Sequence, residues 1–207
     1  MSKQLTSKVA IVTGASRGIG RAISIVLAQE AATVVLAARS TEKLQETAEK
    51  VTKAGGKPEI FVTELIEEES IKNLVKTTQE KYSRLDILIN NAGVTHSAKL
   101  EHTSTEDWQR CINVNARAPF ILCREALPLL KKSKAGHIIN IASVVGVKGY
   151  PLQSAYTSSK HALRGMTISL AEELKDSNIR VHLLCPGGVN TDMVGSVRPD
   201  IKKDELM

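Results

Sequence analysis

The chain has 207 residues, 42% apolar and 24% charged, which allows one well-buried core and leaves too little length for two full domains. Its net charge of +6 would suit an anionic partner, but the basic residues are dispersed and aromatics are only 3%, so nucleic-acid binding is not expected. No apolar run approaches the roughly 20 residues that span a bilayer, residues 1–8 lack the apolar segment of a secretory signal, and Cys111, Cys123 and Cys185 show no C-x-x-C spacing, so membrane, disulfide and metal readings are set aside. The expectation is a cytoplasmic protein forming a single domain over residues 1–207. Lys203-Asp204-Glu205-Leu206 resembles an endoplasmic-reticulum retention signal, but Met207 follows it and it reads as coincidence.

Short apolar runs alternate with longer amphipathic ones. Val9-Ala10-Ile11-Val12 reads as a buried strand, followed by a Gly-rich turn and a helix over 18–29. Thr33-Val34-Val35-Leu36-Ala37 is a second strand, and a helix over 41–53 is capped by Ser40 or Thr41. Gly55-Gly56 ends that helix before a strand over 59–62; a helix over 67–82 and a strand over 85–89 come next. A long helix over 105–132 contains Pro119 and Pro128, which are expected to kink rather than break it. A strand over 137–141, a helix over 153–175 and a strand over 179–184 complete the pattern. Strands without polar alternation, separated by helices, imply an α/β fold: a parallel sheet covered on both faces, with ligands at the carboxyl ends of the strands.

The turn after the first strand is Thr13-Gly14-Ala15-Ser16-Arg17-Gly18-Ile19-Gly20. Glycines permit positive φ and close backbone approach, and the helix start offers free N–H groups to a pyrophosphate. The spacing is G-x-x-x-G-x-G rather than G-x-G-x-x-G, so the position after the first strand carries as much weight as the glycines. An NAD site would place an acid at the end of the second strand. Here Arg39 stands 19 residues after Gly20, Arg17 sits in the loop, and Leu36-Ala37-Ala38-Arg39-Ser40 holds no acid. Two guanidinium groups at the adenosine ribose favour a 2′-phosphate, and therefore NADP(H).

Tyr156 and Lys160, four apart on the last predicted helix, share one of its faces. An ammonium beside a phenol stabilises the phenolate, which would let a tyrosine exchange protons near neutral pH. By itself the pair would more often be a solvated helix face.

Taken together, these residues resemble the short-chain dehydrogenases/reductases. The resemblance runs from Lys8 to Thr191 and rests on the loop Thr13-Gly14-x-x-x-Gly18-Ile19-Gly20, on Asn90-Asn91-Ala92-Gly93 after the fourth strand, and on Asn113-Val114-Asn115. It also rests on Ser143 followed by Tyr156 and Lys160, and on Pro186-Gly187-Gly188-Val189-Asn190-Thr191. The overall pattern is most similar to 3-oxoacyl-[acyl-carrier-protein] reductases and carbonyl reductases. What the resemblance implies is a doubly wound sheet of Rossmann type and hydride transfer between NADP(H) and a carbonyl or alcohol carbon. It makes Tyr156 the proton donor, Ser143 the hydrogen-bond partner of the carbonyl oxygen, and Lys160 the group that lowers the tyrosine pKa and holds the nicotinamide ribose. It gives Asn115 a water that links Lys160 to solvent. Cofactor contacts are implied for Gly14, Ser16, Arg17, Gly18, Ile19, Gly20, Arg39, Glu64, Leu65, Asn91, Ala92, Gly93, Pro186, Gly187, Val189 and Thr191, along with Tyr156 and Lys160.

Substrate contacts are expected from Ser143, Val145, Gln153, Tyr156 and Gly188, with Thr95, His96 and Met193 as further pocket candidates. His96 is expected at the rim rather than in the chemistry. Glu64 stands where the family usually has Asp near the adenine, and Ala142 replaces a frequent serine. After Thr191 only 16 residues follow, fewer than the further helix and last strand the family carries, so a truncated chain or an exposed sheet edge is expected. An acyl carrier protein is a candidate partner, with Lys131, Lys132 and Lys134 as docking residues, and the helices over 105–132 and 153–175 are expected to pair subunits into a homodimer or homotetramer. The rival function is an NADP-binding scaffold or regulatory protein without turnover.

Overall fold

The computed structural model describes residues 3–191. Met193, the retention-like tetrapeptide and the stretch after Thr191, on which the expectation of a truncated chain or an exposed sheet edge rests, lie outside the described residues. Six strands, β1 (Val9–Thr13), β2 (Thr33–Ala38), β3 (Lys57–Val62), β4 (Ile87–Asn90), β5 (Gly136–Ile141) and β6 (Ile179–Leu184), form one sheet in the order β3-β2-β1-β4-β5-β6. Every pairing is parallel. The strand order reverses between β1 and β4, and in such sheets the crevice at that reversal is where ligands bind. Among the described residues no helix is long and apolar enough to cross a membrane.

Helices α1 (Gly18–Gln29) and α2 (Thr41–Lys53) cover one face; α3 (Glu68–Tyr82), α5 (Ala118–Leu130) and α6 (Ser154–Glu173) cover the other, with α4 (Thr105–Ile112) leading into α5. The unbroken apolar runs of β1 and β2 follow from this. Val12, Val34 and Leu36 meet Ala28, Leu44 and Val51 on one side, while Ile11, Val35 and Leu88 meet Leu74, Ile121 and Leu130 on the other. Both sets are fully withdrawn from water, the arrangement a continuous hydrophobic strand requires. Ser40 is the cap of α2, its hydroxyl accepting from Lys43 N–H at 3.4 Å.

The expected single helix over 105–132 is two helices joined by a π turn, Asn113–Arg117, in which Ala118 N–H donates to Asn113 C=O. Pro119 explains the difference. It cannot donate to the carbonyl four residues back, that of Asn115, and its ring crowds that carbonyl, so the turn ahead of it widens to an i→i+5 bond. Pro119 then sits in the first turn of α5, where a missing N–H costs little, while Pro128 is carried inside α5. Two strand boundaries also shift. β3 begins at Lys57 and β4 at Ile87, although the Asp86 backbone just before β4 already bonds to Val9 and His137 on either side.

Asp86 lies at the foot of the sheet with 1% of its surface exposed. Its carboxylate accepts from Val9 N–H at 3.0 Å, Ser133 hydroxyl at 2.6 Å, Lys8 Nζ at 3.2 Å and Arg84 at 2.7 and 2.9 Å. It thereby clamps the starts of β1 and β4 to the segment entering β5. Burial alone would raise the Asp86 pKa, but the bonds from Arg84, Ser133, Val9 and Lys8 outweigh it and bring it down to about 2. The folded-state pKa is below the unfolded one, so this stabilisation is present above pH ~4 and is lost as pH falls through about 2. At about 1.4 kcal/mol per pKa unit, Asp86→Asn is expected to cost about 2 kcal/mol or more at pH 7, with the gap to wild type narrowing towards pH 2. Denaturant midpoints across that pH range measure it, and a gap that is constant with pH would contradict this account.

Candidate active site

The carboxyl ends of the strands open into one cleft of about 900 Å³. Its floor is two loops stitched together. Thr13 hydroxyl accepts from Asn91 N–H at 3.0 Å and Ala92 N–H at 3.1 Å, and Asn91 Nδ2 donates to Thr13 C=O at 2.9 Å. This close approach is why glycine is required at two points. Gly14 has φ +65°, and a Cβ there would lie 2.9 Å from Ala92 Cα; a Cβ on Gly20 would lie 2.3 Å from Gly14 C=O. Arg17 is the N-cap of α1 but no side chain caps that helix, and its first turn holds no acid. The positive dipole end of α1 lines the cleft through Gly18 and Ile19, a setting that fits a pyrophosphate.

At the end of the cleft beside α2, Arg39 lies 3.8 Å from the Glu64 carboxylate, both largely exposed. Glu64 also accepts from Ile66 N–H at 3.2 Å, so it is shaped by its own loop as much as by Arg39. Lys43, the third residue of α2, lines the same end.

At the other end, Tyr156 and Lys160 project from the first turns of α6. Lys160 is buried, with 3% exposure; its Nζ donates to Ile141 C=O at 2.8 Å and lies 6.0 Å from the Tyr156 ring centre. Ser143 follows β5 and turns the chain into a short 3₁₀ segment, its hydroxyl accepting from Val145 N–H at 3.3 Å. Asn115 is fully buried in the π turn. Its amide accepts from Val94 N–H and donates to Val94 C=O and Ser159 hydroxyl, each at 2.8 Å. A Cβ on Gly93 would lie 3.3 Å from Asn115 Oδ1 and 3.5 Å from Lys160 Nζ, so all three groups converge beneath the loop after β4.

Burial pushes the Tyr156 phenol above its ordinary value near 10, and its interaction with the Ser143 side chain pulls the other way. Burial also brings Lys160 down, to about 8. The sequence reading assigned the lowering of the tyrosine pKa to Lys160. In the structure that ammonium is committed to the Ile141 carbonyl, and Ser143 is the group that opposes burial at the phenol.

A glycine loop opening a helix, a Tyr-x-x-x-Lys pair and an adjacent serine now share one cleft. The sequence matches the family described as short chain dehydrogenase over residues 8–202. The chain belongs to that family. As a short-chain dehydrogenase it is an oxidoreductase, and the family's cofactor is a nicotinamide dinucleotide. It is similar to a 3-oxoacyl-[acyl-carrier-protein] reductase of Thermotoga maritima, 39% identical over 92% of this chain and 77% of that protein. It is also similar to a 3beta-hydroxysteroid dehydrogenase of Mediterraneibacter gnavus, 37% identical over 94% of this chain and 71% of that one. Among solved structures, a Shigella flexneri short chain dehydrogenase complexed with NADP superposes with a TM-score of 0.94 at 33% identity, covering 100% of this chain and 87% of the other.

Most of the site residues read from the sequence line the cleft of this short-chain dehydrogenase. Gly20 and Asn115 do not. Gly20 is packed beneath Gly14, and Asn115 is buried behind Gly93 and Val94. Thr95 and Gln153 line the cleft, whereas His96 turns to Asp107, its Nδ1 3.5 Å from the carboxylate. The sequence reading missed Lys43, Arg110 and Tyr150, which also line it. Lys43 could have been found from its place in the first turn after Arg39-Ser40; Arg110 carries no local signal.

Lys160 has a stability consequence. Its folded-state pKa is depressed, so between about 8 and 10.5 the unfolded chain binds more protons, and stability rises with pH across that window. Below pH 8 the buried ammonium is a constant cost. Lys160→Met is therefore expected to stabilise the fold at pH 7 by on the order of 1–3 kcal/mol, with the gain fading above pH 10. Thermal unfolding at several pH values measures this, and a variant that melts lower than wild type at pH 7 would overturn it.

Proposed function

We propose that the protein is an NADPH-dependent reductase that converts a ketone or aldehyde carbonyl to an alcohol, with Tyr156 as proton donor. The observation that carries the reading is the convergence of Ser143, Tyr156 and Lys160 at one end of a cleft whose other end is a glycine loop with basic residues. When bound, NADPH supplies the hydride. The protein's own residues do the rest. A neutral phenol is the required form for donation, and burial keeps Tyr156 protonated at neutral pH. Ser143 hydrogen-bonds the carbonyl oxygen and steadies its developing charge. Lys160, poised at about 8, relays protons to the phenol and holds the nicotinamide ribose, and Asn115 fixes the loop and helix between which that relay runs.

The preference for NADP rests on Arg17, Arg39 and Lys43 at the adenosine end, and on the NADP complex of the Shigella flexneri relative. The exposed Arg39–Glu64 pair is worth under about 1 kcal/mol, so a phosphate dianion displaces it readily. Gly14, Ser16, Gly18, Ile19, Leu65, Asn91, Ala92, Gly93, Pro186, Gly187, Val189 and Thr191 complete the cofactor cradle, with Val145, Gln153 and Gly188 on the substrate side. The relative named 3-oxoacyl-[acyl-carrier-protein] reductase supports a 3-oxoacyl thioester, and exposed Lys131, Lys132 and Lys134 after α5 suit an acidic carrier. Phe120 and Ile168, large apolar residues exposed on α5 and α6, suit pairing of two copies through those helices in a cytoplasmic homo-oligomer.

NADPH oxidation measured with diketones, quinones and acetoacetyl thioesters tests the reading. Tyr156→Phe is expected to lose about 10²–10⁴ of the rate with NADPH affinity unchanged. Tight NADPH binding without turnover of any carbonyl would favour the scaffold reading. Arg39→Asp is expected to shift preference towards NADH by about 10–100-fold, the worth of one charge-assisted phosphate contact, and an unchanged ratio of kcat/KM values would overturn the NADP assignment.

A further inference from the structure

The basic residues of the cleft fall into two sets. Arg17, Arg39 and Lys43 stand beside the glycine loop and α2, where a phosphorylated nucleotide uses them. Arg110 stands apart from these, on α4, and the cofactor site leaves it unused. Its place is set by its neighbours. The next residue, Cys111, is buried and lies within the electrostatic reach of both Lys160 and Tyr156. One turn on, Val114 lines the cleft immediately before Asn115. One turn back, Asp107 meets His96 of the loop after β4 at 3.5 Å. Arg110 is therefore at the rim of the reacting end.

Asp107 is the carboxylate that feels Arg110, but it is occupied: it accepts from the Ser104 hydroxyl at 2.8 Å and lies 3.5 Å from His96 Nδ1, while the Asp107 backbone N–H donates to the same hydroxyl at 3.0 Å. Among the described residues the Arg110 side chain makes no hydrogen bond and no ion pair within 4.0 Å. The cleft lining also carries buried polar atoms that meet no partner among the described residues. Gln153 is 7% exposed, and its amide oxygen and the Thr95 hydroxyl have no hydrogen-bond partner. A guanidinium in the cleft lining whose donors meet no partner among the described residues is suited to a planar anion that it can hold with two parallel bonds.

We propose that the substrate is an anionic carbonyl compound, its carboxylate or phosphate ester held by Arg110 while its carbonyl lies at Tyr156 and Ser143. This rests on the reductase reading above and narrows it. The anionic group takes no part in hydride or proton transfer; it fixes which way the substrate lies and raises its affinity. Thr95 and Gln153 meet the polar atoms between the anion and the carbonyl.

Two matched pairs test it by NADPH oxidation: acetoacetate against methyl acetoacetate, and dihydroxyacetone phosphate against dihydroxyacetone. Wild type is expected to prefer the charged member of at least one pair, and the pair in which it does so separates carboxylate from phosphate. Arg110→Gln is expected to raise KM for that charged member about tenfold or more, with kcat within about twofold and the neutral member unaffected, and Arg110→Lys to recover part of the loss. Preference for the neutral member in both pairs, or an equal effect of Arg110→Gln on charged and neutral members, overturns the proposal while leaving the reductase reading standing. If no carbonyl is turned over, the reductase reading fails, and calorimetric titration of acetoacetate and dihydroxyacetone phosphate into the NADPH-loaded protein decides the anion site. Binding that Arg110→Gln abolishes supports it; no binding of either anion overturns it.

Discussion

The amide of Asn115 is the contact on which the reacting end of the cleft depends. One side chain, buried in a π turn, satisfies both backbone groups of Val94 and the hydroxyl of Ser159. The loop after β4, which forms part of the cofactor floor, is thereby locked to α6, which carries Tyr156 and Lys160. The π turn is itself a consequence of Pro119, which denies the Asn115 carbonyl its normal partner and widens the helix at that point. A widened turn turns a packing asparagine into a bridge. It also breaks what would have been one helix into α4 and α5, and α4 is the segment that brings Arg110 to the rim.

Stability and chemistry are set against each other around this bridge. At the foot of the sheet, Asp86 is a buried charge with a full set of donors, and it ties β1, β4 and the approach to β5 together. At the opposite end of the same strands, Lys160 is a buried charge that, among the described residues, meets the Ile141 carbonyl and no carboxylate. A buried ion without its counter-ion is costly, and its pKa moves towards the neutral form. Burial brings Lys160 down to about 8, and in the proposed mechanism this lets it exchange protons with the buried phenol, which a fully paired lysine could not. The clamp at the foot keeps the strands in register while their upper ends carry that strain.

The charge of the cleft follows the same division of labour. The glycine loop and the start of α1 line the cleft together with the basic Arg17, Arg39 and Lys43. Glu64 is the carboxylate among them, and at 3.8 Å it holds the exposed Arg39 only weakly.

Much of this was legible in the chain itself. Element order and the parallel sheet follow from the alternation of unbroken apolar runs with amphipathic ones, because a strand buried on both faces has no polar positions to alternate. The glycine loop, Tyr156-x-x-x-Lys160 and Ser40 as a cap are local patterns, and local geometry is what spacing encodes. Contacts between distant residues were not legible. Asn115 meets Val94 and Ser159 across 21 and 44 residues. Whether Lys160 faces the phenol oxygen or the Ile141 carbonyl depends on where β5 ends relative to α6, and whether Arg110 reaches the cleft depends on how a proline displaces the helix before it. The sequence determined which groups are present and which helix turn or strand end each occupies. Only the tertiary structure decided which of them meet, because the partners lie on elements that packing, not periodicity, brings together.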